Sequence, residues 1–199
     1  MHKICITAHT GALRTKNNTL ESAKAGLACA GVDCIEVDVR FLPDATPALG
    51  HDWVNAKSPK LEDVFKLMQN REASINLDLK EFTHISRVVA LAGAYGLGKR
   101  AFFTGLREAD CAKAQHCGLP YYLNGADVAA AKEVGAIGVN VHHKHCSKEL
   151  VQAAHKENLL VSVFTVNRRR AMRNMVALGV DNITTRRPVV LTEICNHAI

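Results

Sequence analysis

The sequence predicts an α/β protein with the parallel (β/α)8 barrel, or TIM-barrel, fold. Eight short runs rich in β-branched residues alternate with longer stretches that have helical periodicity. Glycine follows several of the helical stretches, as at Gly31, Gly118, Gly135 and Gly179. The chain has 199 residues, close to the lower limit of about 200 for this fold, so its loops are expected to be short.

The strand and helix segments follow one another in strict alternation. The predicted strands are residues 3–8, 34–41, 74–79, 101–105, 120–123, 137–141, 159–166 and 180–184. The predicted helices are residues 19–30, 61–69, 84–95, 108–116, 126–133, 148–157 and 169–178. This alternation implies parallel strands with right-handed crossovers, and eight units close a barrel more readily than they extend an open sheet. No Pro/Ser-rich linker divides the chain, so residues 1–199 are expected to form one domain.

The charge of the chain suits an anionic small molecule. The formal net charge is +6, yet Lys and Arg are scattered, apart from the run at residues 168–170 and the pair at 186–187. Aromatic residues make up 5% of the chain and do not interleave with basic residues in a pattern that stacks bases. We therefore expect a phosphorylated small substrate and no binding to nucleic acid.

The seven cysteines are an odd number and form no CxxC pair, so they indicate neither a disulfide framework nor a zinc site. Most are expected to be reduced, partly buried thiols. The chain contains no apolar stretch long enough for a signal peptide or a membrane helix. We expect a cytoplasmic protein without a membrane span.

Polar residues mark the ends of the first three predicted strands, where a barrel places its chemistry. Glu36 and Asp38 interrupt an otherwise apolar strand and, two residues apart, point to one face. Taken singly, such residues are more often solvated carboxylates or hydrogen-bonded histidines. Together they predict a converging site, because buried carboxylates need a cation. The set is His9, Glu36, Asp38, His51, Asp78 and Lys80.

Oxygen ligands without cysteine favour a hard divalent ion, Mg²⁺ or Ca²⁺. Such an ion polarises a phosphoryl oxygen, and two histidines on opposite sides of phosphorus can act as general base and general acid. Lys80 would donate to a phosphate oxygen. The set therefore predicts phosphodiester cleavage, and it leaves open which histidine is the acid.

Several motifs extend along most of the chain in a fixed order. They are residues 8–12, 18–20, 31–39, 51–52, 59–64, 76–80, 140–142, 164–167 and 179–185. In these motifs the sequence resembles the glycerophosphodiester phosphodiesterase family, whose fold is a (β/α)8 barrel. The resemblance implies hydrolysis of glycerophosphodiesters to an alcohol and glycerol 3-phosphate, with first attack by the substrate's own glycerol hydroxyl.

The resemblance also implies roles for individual residues. It makes His9 and His51 the acid/base pair, assigns the metal to the three carboxylates, and places Lys80 on the phosphate. Phe164 stands where the family commonly has a pocket-lining Trp, although a core aromatic is an equal alternative. His142 is expected to face the pocket.

Three departures from the family pattern affect the expected substrate. The family's His-Arg pair is His9-Thr10 here, which removes a phosphate-binding guanidinium. Arg14 either replaces it or is solvated. Asp78 stands where the family commonly has a longer Glu. Residues 53–60 form a short connection in place of a substrate-covering segment, and Trp53 either caps the pocket or packs under this loop.

The alternatives to hydrolysis are also defined by these residues. A reaction that stops at a cyclic phosphate shares the first step. A catalytically weak barrel that only binds a phospholigand is favoured by Thr10, whereas the intact carboxylates and histidines favour turnover. A sugar-phosphate barrel is not favoured, because no Gly-rich phosphate loop follows the seventh or eighth strand.

Overall fold

The computed structural model of the protein describes residues 3–115 and 118–197. Its strands alternate with helices as the sequence predicts. The strands are β1 (Cys5–Ala8), β2 (Cys34–Phe41), β3 (Pro47–Leu49), β4 (Ser74–Leu79), β5 (Ala101–Leu106), β6 (Tyr121–Asn124), β7 (Gly138–His142), β8 (Leu160–Phe164) and β9 (Asn182–Thr185).

Eight of these strands close into a parallel barrel. The order around the sheet is β1-β9-β8-β7-β6-β5-β4-β2, and β1 also pairs with β2 and completes the ring. Every pairing within the ring is parallel. The predicted (β/α)8 barrel is therefore confirmed.

Seven helices each lead from one strand of the ring to the next, and an eighth follows the last strand. They are α1 (Leu20–Ala28), α2 (Leu61–Met68), α3 (Ile85–Ala94), α4 (Glu108–Ala114), α5 (Val128–Glu133), α6 (Lys148–Lys156), α7 (Arg169–Leu178) and α8 (Pro188–Asn196). The seven predicted helices are all found, six of them with slightly shorter bounds and the helix at residues 169–178 with the predicted bounds. The predicted end of the fourth helix, His116, lies outside the described residues.

The sequence analysis missed two elements. Strand β3 pairs antiparallel with the end of β2, with Leu49 opposite Val39, and its three residues are too few for a periodic signal. Helix α8 follows the last strand and begins at Pro188, whose fixed φ suits the first helical turn. Its apolar pattern is short and ends near the chain terminus.

The alternating faces of β2 explain how the barrel separates its core from its site. Ile35, Val37 and Val39 are buried and point outward to the helices. A Cβ added at Gly26 of α1 would lie 2.9 Å from Cγ2 of Ile35, so helix and strand pack closely there. The intervening residues, Glu36 and Asp38, consequently point into the barrel.

The barrel interior is polar over much of its height. TIM-barrel interiors are usually filled by bulky branched side chains. Here a hydrogen-bonded chain crosses four strands, from Thr7 to Asn182 at 2.6 Å, then Ser162 at 2.8 Å and Asn140 at 2.9 Å. The floor of the barrel is therefore held by hydrogen bonds between buried amides and hydroxyls.

Within residues 3–115 and 118–197, we find no helix with both the length and the apolar character needed to cross a membrane.

Candidate active site

Three carboxylates meet at the carboxyl end of the barrel. Glu36 and Asp38 lie on β2, and Asp78 lies on β4 directly beside Asp38 in the strand register. One oxygen of each carboxylate lies within 4.8 Å of the others. Glu36 and Asp38 are each only 4% exposed, so this cluster is buried as the sequence predicts.

Neighbouring groups hold each carboxylate in place. The Lys80 ammonium lies 2.9 Å from Asp38 Oδ1 and 2.7 Å from Asp78 Oδ2. The Asn18 side chain donates to Asp38 Oδ2 at 2.7 Å and accepts from the Asp38 backbone N–H at 3.2 Å. The backbone N–H of Thr10 donates to Glu36 Oε2 at 2.8 Å. The cluster is thus oriented from the loop after β1 as well as from its own strands.

The cluster has more negative charge than its protein partners balance. Burial, followed by the nearby Asp38 and Asp78 carboxylates, raises the pKa of Glu36 well above its usual value. Burial also raises the pKa of Asp78, although Lys80 opposes that shift. Lys80 brings one positive charge to three carboxylates, and Asp78 Oδ1 is buried without a hydrogen-bond partner among the described residues. Oxygen donors whose negative charge is only partly balanced fit a divalent cation.

His9 lies beside the acidic cluster at the end of β1. Its Nδ1 is 2.6 Å from the Thr10 carbonyl oxygen and 3.8 Å from Glu36 Oε2. Nδ1 donates to the carbonyl, which leaves Nε2 free to accept a proton. Burial lowers the pKa of His9, and the positive charge of Arg186, whose Nε is 3.5 Å from Nδ1, lowers it further. Both effects favour the neutral imidazole of His9.

A cavity of ≈ 420 Å³ opens above the cluster. The sequence-predicted residues that line it are His9, Glu36, Asp78, Lys80 and Phe164. The additional lining residues include Asn76, Phe82, Thr104, Arg107, Asp110, Asn124, Asn140 and Thr184. The cavity thus has an acidic wall, a polar floor and an aromatic side.

The loop after β3 places His51 and Trp53 at the rim. The side chain of His51 is 62% exposed, and its Nδ1 lies 2.7 Å from Asp52 Oδ1. Trp53 is 69% exposed, so the expectation that it packs under the short loop is wrong. Neither residue lines the cavity, although the preceding Gly50 donates its N–H to the Asp38 carbonyl at 3.1 Å. The loop therefore starts next to the acidic cluster and carries both side chains outward.

Thr10 and His142 also lie outside the cavity lining. Thr10 is 2% exposed, and its hydroxyl accepts a 2.6 Å hydrogen bond from the Asn18 backbone N–H. His142 lines a separate cleft beside Phe164. Arg14, the sequence-based candidate for the missing guanidinium, is exposed and does not line the cavity.

Sequence reasoning missed two kinds of cavity residue. Arg107 follows β5 immediately, so the strand-end rule that identified His9 would have found it. Asn124 and Asn140 are neutral residues within strands. Asn140 belongs to the motif at residues 140–142, but the sequence analysis gave it no place in the cavity, and Asn124 lies in none of the motifs. In the structure, Asn140 donates to Asn124 at 3.0 Å, and Asn124 accepts from the Gly105 backbone N–H at 3.1 Å.

The comparisons with known proteins agree with the sequence resemblance. Residues 112–190 match the model of the glycerophosphoryl diester phosphodiesterase family. This segment contains β6 to β9 and lies outside the acidic cluster, so the match does not depend on Glu36, Asp38 or Asp78. No curated protein matches the chain in sequence.

Solved structures share the fold over nearly the whole chain. A provisionally assigned glycerophosphoryl diester phosphodiesterase from Silicibacter pomeroyi has a TM-score of 0.89 at 19% identity, covering 99% of this chain and 94% of its own. A glycerophosphodiester phosphodiesterase from Parabacteroides distasonis has a TM-score of 0.83 at 19% identity, covering 99% and 98%.

A third structure contains a ligand. It is an Oleispira antarctica phosphodiesterase in complex with the product sn-glycerol-3-phosphate, with a TM-score of 0.80 at 16% identity, covering 96% of each chain. At such identities these three likenesses establish the barrel fold. The match over residues 112–190 agrees with the resemblance seen in the sequence, and in this segment the chain is similar to the glycerophosphoryl diester phosphodiesterase family.

Proposed function

We propose that the protein is a divalent-metal-dependent phosphodiesterase that hydrolyses a glycerophosphodiester, or a related small phosphodiester, to an alcohol and sn-glycerol 3-phosphate. One observation carries this proposal. Three carboxylates, whose negative charge the protein only partly balances, lie beside a histidine with a lowered pKa at a single cavity. The bound product in the Oleispira relative supports the same chemical class.

Glu36, Asp38 and Asp78 would hold the ion, either Mg²⁺ or Ca²⁺, because all their donor atoms are oxygens. When bound, the ion supplies positive charge that polarises a phosphoryl oxygen and offsets charge in the transition state. Lys80 keeps the Asp38 and Asp78 carboxylates in position through its two ion pairs.

His9 is proposed to move a proton at the reacting oxygen. The Thr10 carbonyl fixes its tautomer, so Nε2 carries the free lone pair. A histidine kept neutral by burial can accept the proton of the attacking hydroxyl at neutral pH. The acidic cluster is close enough to favour the imidazolium that forms.

His51 is proposed as the second proton carrier, acting from the rim. Its ring is held by Asp52, and its loop is joined to the cluster through the bond from Gly50 to the Asp38 carbonyl. From this solvent side it would protonate the departing alcohol oxygen, whereas His9 acts from the barrel side. Attack by the substrate's glycerol hydroxyl would form a new P–O bond, break the bond to the alcohol and leave a cyclic phosphate. One water would then open that ring to give sn-glycerol 3-phosphate.

Other groups would bind the substrate. Lys80 and Arg107 line the cavity and can neutralise phosphate oxygens, and Phe164 offers an apolar wall to the carbons of the substrate. Thr10 is proposed to act indirectly, by fixing the loop through Asn18. Trp53 and His142 would contact only substrate parts that extend beyond the cavity.

The proposal is tested by the release of sn-glycerol 3-phosphate from a panel of glycerophosphodiesters with Mg²⁺, Ca²⁺ or chelator. Wild type is compared with Glu36→Gln and with Glu149→Gln, which changes an exposed carboxylate on α6. We expect chelator-sensitive turnover that is lost only in Glu36→Gln. Turnover that survives both chelator and Glu36→Gln would refute the metal mechanism, and ligand binding without turnover would indicate a phospholigand-binding barrel.

A further inference from the structure

A second cleft lies at the carboxyl ends of β7 and β8, outside the cavity already described. It has a volume of ≈ 330 Å³. Its lining residues are His142, His143, Lys144, Thr165, Asn167 and Arg168. None of these six residues carries a carboxylate, and all six offer hydrogen-bonding groups.

The cleft and the cavity share a wall. The rings of His142 and Phe164 meet edge to face with centroids 6.0 Å apart, and Phe164 lines the cavity while His142 lines the cleft. His143 Nδ1 lies 3.4 Å from the Phe164 carbonyl oxygen. A ligand that passes over the exposed edge of this wall would therefore reach both spaces.

The positive charges of the cleft have no counterions among the residues that the structure describes. In the described part of the chain, neither Lys144 nor Arg168 forms an ion pair, whereas the adjacent Arg169 pairs with Glu193 at 2.8 Å. Burial lowers the pKa of His142, and the positive charges of His143 and Lys144 lower it further. The cleft thus has a positive potential that a bound anion would offset.

This positive surface continues toward the acid/base residue. Asn167 Oδ1 accepts a 2.9 Å hydrogen bond from the Arg186 backbone N–H, and Arg187 Nη1 lies 3.5 Å from the Asn167 carbonyl. The Arg186 guanidinium in turn lies beside His9. Basic side chains thus extend from the cleft along the rim to His9.

We infer that this cleft binds a phosphate group carried by the alcohol portion of the substrate, so that the preferred substrate class is a phosphodiester with a terminal phosphomonoester. The inference rests on the proposed function, because Phe164 lines the cavity and packs against His142 of the cleft, so a substrate that extends past Phe164 would reach the cleft. A phosphomonoester suits the site because it carries nearly two charges and three acceptor oxygens, which match the amine, guanidinium, hydroxyl and amide donors present.

The first test measures equilibrium binding in chelator, where metal-dependent turnover is absent. The probes are glycerophosphoglycerol, glycerophosphoglycerol phosphate and glycerophosphoserine, titrated into the full chain by calorimetry. We expect the phosphorylated probe to bind at least ~10-fold more tightly than the other two, as a charge-assisted site requires. Equal affinities would overturn the inference, and equal tightness for glycerophosphoserine would overturn its restriction to phosphate.

Variants then test whether the cleft residues cause the tighter binding of the phosphorylated probe. Lys144→Ala and Arg168→Ala should each reduce it by roughly tenfold. Lys148→Ala and Arg170→Ala are matched controls, because they remove exposed charges on the neighbouring helices without touching the cleft. A preference that survives both cleft variants, with folding verified by circular dichroism, would contradict the assignment.

Turnover separates this inference from the proposed function. With Mg²⁺ or Ca²⁺ present, the phosphorylated probe should also have the highest kcat/KM. Preferential binding without hydrolysis of any probe would refute the phosphodiesterase and leave the phosphate cleft standing. Hydrolysis of all probes without preference would support the phosphodiesterase and refute the phosphate cleft.

Discussion

The two halves of the barrel differ in how they carry polarity. Strands β1, β2 and β4 bring ionisable groups to the rim, namely His9, Glu36, Asp38, Asp78 and Lys80. Strands β6 to β9 bring amides and hydroxyls, which satisfy one another in a chain of hydrogen bonds. In the first half charge remains uncompensated, as Asp78 Oδ1 shows. The first half is therefore suited to a cation, and the second to a rigid floor.

The comparison predicts that removing His9 costs activity without emptying the metal site. His9→Asn keeps a donor for the Thr10 carbonyl but has no lone pair of suitable basicity. We expect turnover to fall by about 10²–10⁴-fold. Affinity for Ca²⁺ or Mg²⁺, measured by calorimetry, should stay within a few-fold of wild type. A variant with near-normal turnover would show that His9 is not a proton carrier.

Substitution of Gly105 tests how closely the backbone packs against the acidic half, beyond the cost of a positive φ for a residue other than glycine. A Cβ there would lie 2.6 Å from Asp78 Oδ1 and 2.3 Å from the Leu79 carbonyl, at a φ of +89°. Gly105→Ala should lower the free energy of unfolding by about 2–4 kcal/mol. Gly96→Ala is the control, since its φ is +67° and its Cβ meets nothing within 4 Å, so about 1 kcal/mol is expected. Urea denaturation measures both, and equal losses would argue against the close approach.

In the neutral half, Asn182 should matter for stability rather than for the metal. Its side chain accepts from Thr7 and donates to Ser162, and both partners are buried. Asn182→Ala leaves these groups unpaired, so we expect a loss of about 1–3 kcal/mol in the free energy of unfolding. Metal affinity should not change. A weakened metal site with normal stability would contradict the division between the halves.

The smallest predicted effect is a gain in stability rather than a loss. Glu36 is buried beside two like charges, and this arrangement destabilises the metal-free fold. Glu36→Gln should therefore raise the free energy of unfolding in chelator by about 1 kcal/mol, or ~2–4 °C in Tm. The stabilisation of wild type by added Ca²⁺ should be absent in the variant. A lower Tm in chelator would show that the carboxylate is already well compensated by its neighbours.

The same comparison explains what could be predicted from the sequence. The strand-helix alternation predicted the barrel, and carboxylates that interrupt an apolar strand stood out because their burial is costly. The hydrogen bonds of Asn124, Asn140 and Asn182 were not predicted, although the last two lie in the motifs of the family resemblance, because the partners of a neutral strand residue are on other strands. The positions of His51 and Trp53 depend on the path of a short loop that has no periodic pattern.

The central claim is that the acidic half of the rim binds one divalent ion through Glu36, Asp38 and Asp78. Calorimetric titration of Ca²⁺ and Mg²⁺ into chelator-stripped protein tests it most directly, with Asp78→Asn and the exposed Glu149→Gln in parallel. The account predicts one ion per chain for wild type and Glu149→Gln, and a loss of affinity of at least ~10-fold in Asp78→Asn. No heat of binding in wild type, or unchanged affinity in Asp78→Asn, would contradict it.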